Sequence, residues 1–175
     1  RPPPPGLVGT PGAGICSLDS QKLRAHVSRM TGAKFPGGCT TTVLRLTFGE
    51  SSDPLVYGRI QLLEEWVNML DALSVEYRAL ELAWKKLVAD LANSARRWMK
   101  VKGMVGAVIA TLLDLNWNPL SPDRWVDSDG EVFHLITGDT DKLVEYTLMG
   151  ALSQQVWSAT CSQLVAPRRG PWPGG

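Results

Sequence analysis

The chain has 175 residues, of which 44% are hydrophobic and 20% charged, and 18 Lys and Arg residues against 17 Asp and Glu residues leave a formal net charge of +1. This length and composition predict one globular domain, because a domain spans roughly 100–200 residues. They exclude a collagen, a coiled-coil rod and a long disordered tail. In the apolar centre of the chain, the longest run without a charge is residues 103–113, which is too short for a membrane-spanning helix of about 20 residues. We therefore expect no membrane association.

Segments rich in Pro and Gly flank the middle of the chain. Residues 1–18 and 166–175 have the composition of a linker and a tail, and the prolines at 2–5 favour the extended polyproline II conformation. We therefore expect a folded domain over residues 19–165 that belongs to a longer polypeptide.

The cysteines indicate a reducing environment. Cys16, Cys39 and Cys161 are odd in number and widely spaced, which matches no disulfide framework. We therefore expect an intracellular protein, in the cytoplasm or the nucleus. The cysteines and histidines also lack the short paired spacings of a zinc site, so we expect no metal and no cofactor.

Two short helices are predicted at the start of the domain. Over residues 20–31, apolar residues recur at helical spacing after Ser20, and Gly32 ends the pattern. The inward-facing residues of this helix are Leu23, Val27 and Met30. Residues 39–48 are rich in β-branched residues, which favour a strand, but their apolar residues do not alternate, and we predict a short helix there.

Two long helices follow, and the short connection at residues 71–73 predicts that they form a helical hairpin. The first begins at Asp53, a strong N-cap before Pro54, whose missing N–H costs nothing at the first helical position. Its predicted buried stripe is Val56, Ile60, Leu63, Val67 and Leu70, and its predicted solvent face is Arg59, Glu64, Glu65 and Asn68. Ser74 is the predicted N-cap of the second helix. The buried stripe of that helix is Leu80, Trp84, Leu87, Leu91, Ala95 and Trp98.

A central helix and a loop are predicted next. Residues 104–115, after Gly103, are apolar nearly all round, and such a helix belongs in the middle of a bundle. Two prolines within residues 117–122 predict a loop, because they exclude a regular helix.

Residues 124–135 have the pattern of a β-hairpin. The Asp-Gly dipeptide at 129–130 favours a type I′ turn, which needs positive φ angles. The register that this turn imposes pairs Val126 with Phe133 and Trp125 with His134.

A last helix is predicted from Asp139 or Asp141 to about Gln163. Its inward-facing residues are Leu143, Tyr146 or Thr147, Met149, Leu152, Val156 and Trp157. The predicted fold is therefore mainly α: a five- or six-helix bundle with one small β-hairpin near residues 124–135.

No pattern in the sequence predicts a catalytic site. Asp127, Asp129 and Glu131 lie around a turn and do not fit a calcium-binding EF-hand loop, because an indole occupies the position of the first ligand. Neither His26 nor His134 has a catalytic companion nearby in sequence. The chain also lacks a serine nucleophile elbow and a phosphate-binding glycine loop. We therefore expect no enzymatic activity of its own.

One stretch of the chain is strongly basic. Residues 85–102 contain a single acid, Asp90. The six basic residues are Lys85, Lys86, Arg96, Arg97, Lys100 and Lys102. A basic stretch with an interleaved aromatic residue suits nucleic acid, so the candidate binding residues are Arg96, Arg97, Lys100 and Lys102 on phosphate and Trp98 on a base. The structural alternative is that the helix dipole favours these cations and that Trp98 packs in the core.

Several short motifs follow one another in a definite order over residues 20–160. They are Leu-Arg-x-x-Val, Val-Leu, Asp-Pro, a glycine before an apolar helix, Leu-Asn-Trp, Ser-Pro-Asp-Arg-Trp, Asp-x-Asp-Gly and Val-Phe-His-Leu. They begin at Leu23, Val43, Asp53, Gly103, Leu115, Ser121, Asp127 and Val132. This order is similar to the region that follows the polymerase domain in LINE-like reverse-transcriptase (retrotransposon) polyproteins of dinoflagellate-type protists. The chain departs from the commonest form at Asn116, where a glycine is expected.

The resemblance implies a helical accessory or connecting region beside a nucleic-acid enzyme in the same polyprotein, which would be an RNA-directed DNA polymerase. No Asp-Asp polymerase motif is present, so the resemblance implies no catalytic residue. The expected partners are RNA or DNA and the flanking domains of that polyprotein. The alternative is a protein-interaction or scaffold domain that binds no nucleic acid. The first interpretation needs the basic residues to converge on one open face, and the second lets them scatter or pair with acids.

Overall fold

The computed structural model describes residues 17–32, 39–49, 53–72, 77–136 and 143–165. Within these residues the protein is mainly helical with one small antiparallel sheet, which confirms the predicted fold class. The helices are α1 (Ser17–Met30), α2 (Thr40–Phe48), α3 (Pro54–Ala72), α4 (Tyr77–Ala92), α5 (Arg97–Lys100), α6 (Met104–Asp114) and α7 (Met149–Val165), which continues a π-helical stretch over Leu143–Leu148. The strands are β1 (Asn118–Ser121), β2 (Arg124–Val126) and β3 (Val132–His134), paired in that order.

Helix α6 lies at the centre of the core, as its uniformly apolar sequence predicts. Its middle residues are fully buried, and α3 and α4 both pack against it. The sequence predicts that α4 packs along α3 as a helical hairpin, and this is wrong, because α4 packs mainly along α6 and β1. The two helices meet where the indoles of Trp66 and Trp84 stack, with ring centroids 5.3 Å apart. Ser74 and the connection at 73–76 lie outside the described residues.

The C-terminus of α6 turns the chain into the sheet. The Trp117 N–H donates to the Leu112 carbonyl at 2.9 Å and the Asn116 N–H donates to the Leu113 carbonyl at 3.2 Å, which is the hydrogen-bond pattern of a Schellman motif. Asn116 has φ +60°, in the left-handed region that glycine most often supplies and that asparagine tolerates better than most residues.

Strand β1 occupies part of the segment predicted as a loop, so that prediction is wrong. Pro119 is compatible with a strand here because β1 is an edge strand of the sheet. The segment is held from the side by two buried indoles: Trp84 Nε1 donates to the Pro119 carbonyl at 2.9 Å and Trp66 Nε1 donates to the Pro122 carbonyl at 3.0 Å. Local sequence does not reveal these long-range donors.

The hairpin exists as predicted, but its predicted register is wrong by one residue. Trp125 pairs with Phe133 rather than with His134. The cause is the turn, because the Asp127 carboxylate accepts the N–H groups of Asp129 at 2.9 Å and Glu131 at 2.8 Å. These bonds, with the Asp127 N–H donating to the Glu131 carbonyl at 3.0 Å, make a three-residue loop instead of a two-residue turn.

The corrected register places the aromatic side chains on one face of the sheet. Trp125 is fully buried, and Phe133 stacks on Trp117 with ring centroids 5.4 Å apart. His134 is exposed instead of facing the core.

Most of the predicted core stripes are confirmed, with three exceptions (Met30, Ala95 and Trp157), and one residue departs from a predicted solvent face (Arg59). Met30 is 67% exposed at the end of α1, and Ala95 is exposed because α4 ends before it. Arg59, predicted on the solvent face of α3, is largely buried. Trp157 is 37% exposed and lies under the guanidinium of Arg45, 4.9 Å from the ring centroid. The predicted start of the last helix, at Asp139 or Asp141, lies outside the described residues.

Candidate nucleic-acid interface

The basic stretch does not form one continuous helix. Helix α4 ends at Ala92, where the Asn93 side chain donates to the Ala89 carbonyl at 3.0 Å and the Ser94 N–H donates to the Leu91 carbonyl at 3.2 Å. Asn and Ser compete for backbone groups in this way and are weak helix formers. After the break, α5 forms a single helical turn that carries Arg97 and Lys100.

Trp98, the aromatic residue of the basic stretch, packs inward. Its Nε1 donates to Asp114 Oδ2 at 2.8 Å, and the Arg59 guanidinium lies 5.2 Å from its ring centroid. The side chain is half-buried and belongs to the set of residues packed against the core. Its position favours the structural interpretation of this residue over base stacking.

Arg97 is paired with the same carboxylate. Its Nη1 donates to Asp114 Oδ1 at 3.2 Å, while Arg59 Nη2 donates to Oδ2 at 2.9 Å. The Arg59 side chain is only 11% exposed. Burial lowers the pKa of Arg59 from its ordinary value, and the Asp114 carboxylate opposes that shift. Asp114 therefore neutralises cationic charge in a partly buried position.

Helix α7 completes this cluster, which we call the Asp114 network. Gln155 Nε2 donates to the Asp114 main-chain carbonyl at 2.5 Å, and Arg59 Nη1 donates to Gln155 Oε1 at 3.1 Å. The Asp114 network consists of Arg59, Arg97, Trp98, Asp114 and Gln155. It joins α3, α5, α6 and α7. Sequence reasoning missed it, although a single charged residue that closes an otherwise apolar helix was a usable signal.

The other three candidate cations lie on the outside. Arg96, Lys100 and Lys102 are exposed and form no ion pair with any described residue. Within α5, Met99 and Lys100 are exposed while Trp98 packs inward on Asp114, and Arg96, the N-cap of this short helix, is exposed as well. Met99 is 78% exposed, which agrees with this arrangement. We call Arg96, Lys100 and Lys102 the basic surface.

The remaining basic residues of the stretch lie on α4. Lys85 and Lys86 are both exposed, and Lys85 Nζ lies 2.8 Å from Glu81 Oε1 one turn earlier. An ion pair of this kind stabilises the helix by about 0.3–0.5 kcal/mol and offsets the positive charge. Leu82 is 73% exposed.

The described residues contain neither a metal site nor a membrane-spanning helix. No group of three or more His, Cys, Asp and Glu side chains there could hold a metal ion, and Cys39 and Cys161 are free thiols. No described helix is long and apolar enough to cross a membrane. His26 and His134 are both exposed.

Comparisons with known proteins were made by family model, by curated sequence and by solved structure, and none of them found a match.

Proposed function

We propose that this domain is a non-catalytic accessory or connecting module of a retroelement-like polyprotein, and that it contacts nucleic-acid phosphate through Arg96, Lys100 and Lys102. The observation that carries the proposal is that three cations within seven residues are exposed and unpaired in the described part of the chain. Cations that are not neutralised by protein acids can replace the counterions around a phosphate backbone.

The Asp114 network supports the proposal because it fixes the segment that bears the basic surface. Arg97 and Trp98 hold the inner side of α5 on Asp114, at 3.2 Å and 2.8 Å. The single turn of α5 is too short to be stable as an isolated helix. Anchoring at Asp114 therefore keeps Arg96 and Lys100 on the outer side before any ligand arrives.

The proposal is tested by titrating the full chain with labelled oligonucleotides at several salt concentrations. We expect binding that weakens as salt rises. The triple variant R96Q/K100Q/K102Q should flatten the slope of log affinity against log salt by about 1 for each phosphate contact removed. The matched control is R29Q/R78Q/R124Q, which removes the same charge from three exposed arginines on α1, α4 and β2.

Two outcomes would contradict the proposal. The first is no measurable binding of any oligonucleotide at low salt. The second is an equal loss in both triple variants, which would mean that net charge rather than this surface controls binding.

The alternative function is a protein-interaction or scaffold domain that binds no nucleic acid. The observation that favours it is the exposure of two large apolar side chains, Leu82 and Met99, near basic residues. Phosphate contact gives these side chains no role. This alternative predicts that every oligonucleotide fails to bind at low salt while the domain remains folded.

A further inference from the structure

Among the described residues, the basic surface has cations but no aromatic side chain on which a base could stack. Proteins that bind single strands without sequence preference combine a basic groove with aromatic side chains, and each stacked base contributes about 1–3 kcal/mol. Trp98 is the aromatic residue of the stretch 85–102. Its N–H is bonded to Asp114 and Arg59 lies against its ring, so Trp98 packs inward, whereas Arg96 and Lys100 are exposed.

Met99, the exposed side chain beside the cations, cannot take the place of Trp98, because it has no aromatic ring on which a base could stack. Trp157, which is 37% exposed, lies on α7 and is covered by Arg45. Within the described part of the chain, the contacts that the basic surface offers to a nucleic acid are therefore contacts to its phosphates.

Binding through phosphates alone favours the ligand with the denser charge. A duplex carries one negative charge per about 1.7 Å of its axis, and each phosphate contact on it contributes about −0.9 to the slope of log affinity against log salt, compared with about −0.7 on a single strand. We infer that the basic surface binds the phosphate backbone of a nucleic-acid duplex, without reading its bases, in preference to an unpaired strand. The inference rests on the proposed function.

The slopes give the expected size of the preference. Three contacts predict a slope of about −2.7 for a duplex and about −2.1 for a single strand. The affinity for a duplex should then fall about six-fold for each doubling of the salt concentration. If the two lines meet near about 1 M salt, the duplex binds about six-fold more tightly than the single strand at about 50 mM salt.

The test uses the full chain, two short duplexes of unrelated sequence, and one strand of each duplex designed not to fold on itself. Fluorescence anisotropy at several salt concentrations gives the affinities and slopes. We expect both duplexes to bind equally and more tightly than either strand, and we expect R96Q/K100Q/K102Q to lose the duplex binding. The control R29Q/R78Q/R124Q should retain it.

The outcomes separate this inference from the proposed function. Single strands that bind as tightly as the duplexes, or one duplex sequence that is strongly preferred, would overturn the inference and leave the proposed function standing. No binding of any oligonucleotide would overturn both. Tighter binding of poly-glutamate than of duplex would also overturn both, in favour of an acidic protein partner for the same surface.

Discussion

Two largely buried arginine–aspartate pairs lie in different parts of the molecule. One of the two acids lies at the N-terminus of its helix, and the other lies at the C-terminus of a different helix. Asp53 is the N-cap of α3, where its Oδ1 accepts the Leu55 N–H at 3.0 Å and its Oδ2 lies 2.8 Å from Arg24 Nη2. The positive end of the helix dipole favours an anion at this position. Helix α3 itself therefore stabilises the Asp53 carboxylate.

Asp114 is the last residue of α6, where the dipole disfavours an anion. Its carboxylate is balanced by three donors from other helices: Arg59, Arg97 and Trp98. The aspartate is therefore the group that connects the helices in this pair.

In the other pair the arginine makes the connections. Arg24 of α1 bonds Asp53 and also donates to Thr41 Oγ1 of α2 at 2.6 Å. Thr41 in turn shares a 2.8 Å hydrogen bond with Thr160 of α7. One kind of ion pair can therefore connect helices through either partner, and the acid that its own helix does not stabilise depends most on the tertiary structure.

The largest expected effect is on the Asp114 network. Replacing Asp114 by Ala leaves the buried Arg59 guanidinium without its carboxylate, and breaking a buried pair in this way costs about 3–5 kcal/mol. We expect the free energy of unfolding, measured by urea denaturation, to fall by about 3 kcal/mol. Asp90→Ala, which removes an exposed acid from α4, should change it by less than about 0.5 kcal/mol. A loss below about 1 kcal/mol for Asp114→Ala would contradict the role given to this acid.

A smaller effect is expected at the other pair. Arg24→Met leaves Asp53 with the Leu55 N–H and leaves Thr41 bonded to Thr160, so fewer groups lose every partner. A hydrogen bond to a charged group contributes about 1.5–3 kcal/mol, and we expect a loss of about 2 kcal/mol in urea denaturation. Arg29→Met, at an exposed position of the same helix, is the control. A larger loss of unfolding free energy for Arg24→Met than for Asp114→Ala would contradict this ranking of the two pairs.

A third acid, Asp123, differs from Asp53 and Asp114 because its side-chain donors are uncharged. Asp123 accepts hydrogen bonds from the hydroxyl of Tyr77 and, at 2.8 Å, from Ser121 Oγ. Burial raises the pKa of Asp123, but the hydrogen bonds from Tyr77, Ser121 and the main chain, together with the charge of Arg124, hold that pKa below its ordinary value. The pKa of Tyr77 is raised from 10.0 to about 12, and burial is the largest cause of this shift, with the hydrogen bond to Asp123 the second.

The smallest expected effect follows from these shifts. A raised pKa means that the Tyr77 contribution is complete below pH 10 and disappears as the pH rises towards about 12. The lowered pKa of Asp123 means that its contribution disappears at acidic pH. The difference in unfolding free energy between the wild type and Tyr77→Phe should therefore be largest near neutral pH and shrink towards both ends. The other tyrosines are common to both proteins and cancel, and a difference that stays constant from pH 7 to pH 12 would contradict the pairing.

Local signals in the sequence predicted the helices well. Asp53-Pro54 predicted the start of α3, and the Asp53 carboxylate does cap it. The hairpin was also predicted, but its register was not, because the Asp-Gly preference was overridden by the Asp127 side chain bonding two N–H groups of its own loop. Strand β1 was missed because distant donors hold its segment: Trp84 donates to the Pro119 carbonyl of the strand, and Trp66 donates to the Pro122 carbonyl just after it, from 35 and 56 positions away in the chain.

Caps and apolar periodicity act over a few neighbouring residues, so the helical class, the start of α3 and the central place of α6 follow from the sequence alone. Which of the candidate cations are exposed depends on the tertiary structure. Arg97 and Trp98 are bound to an acid 17 and 16 positions away, and Arg59 to the same acid at 55 positions. Such pairings depend on how the helices pack. The sequence predicted four candidate cations beside Trp98, and the packing pairs Arg97 with Asp114 and leaves Arg96, Lys100 and Lys102 exposed.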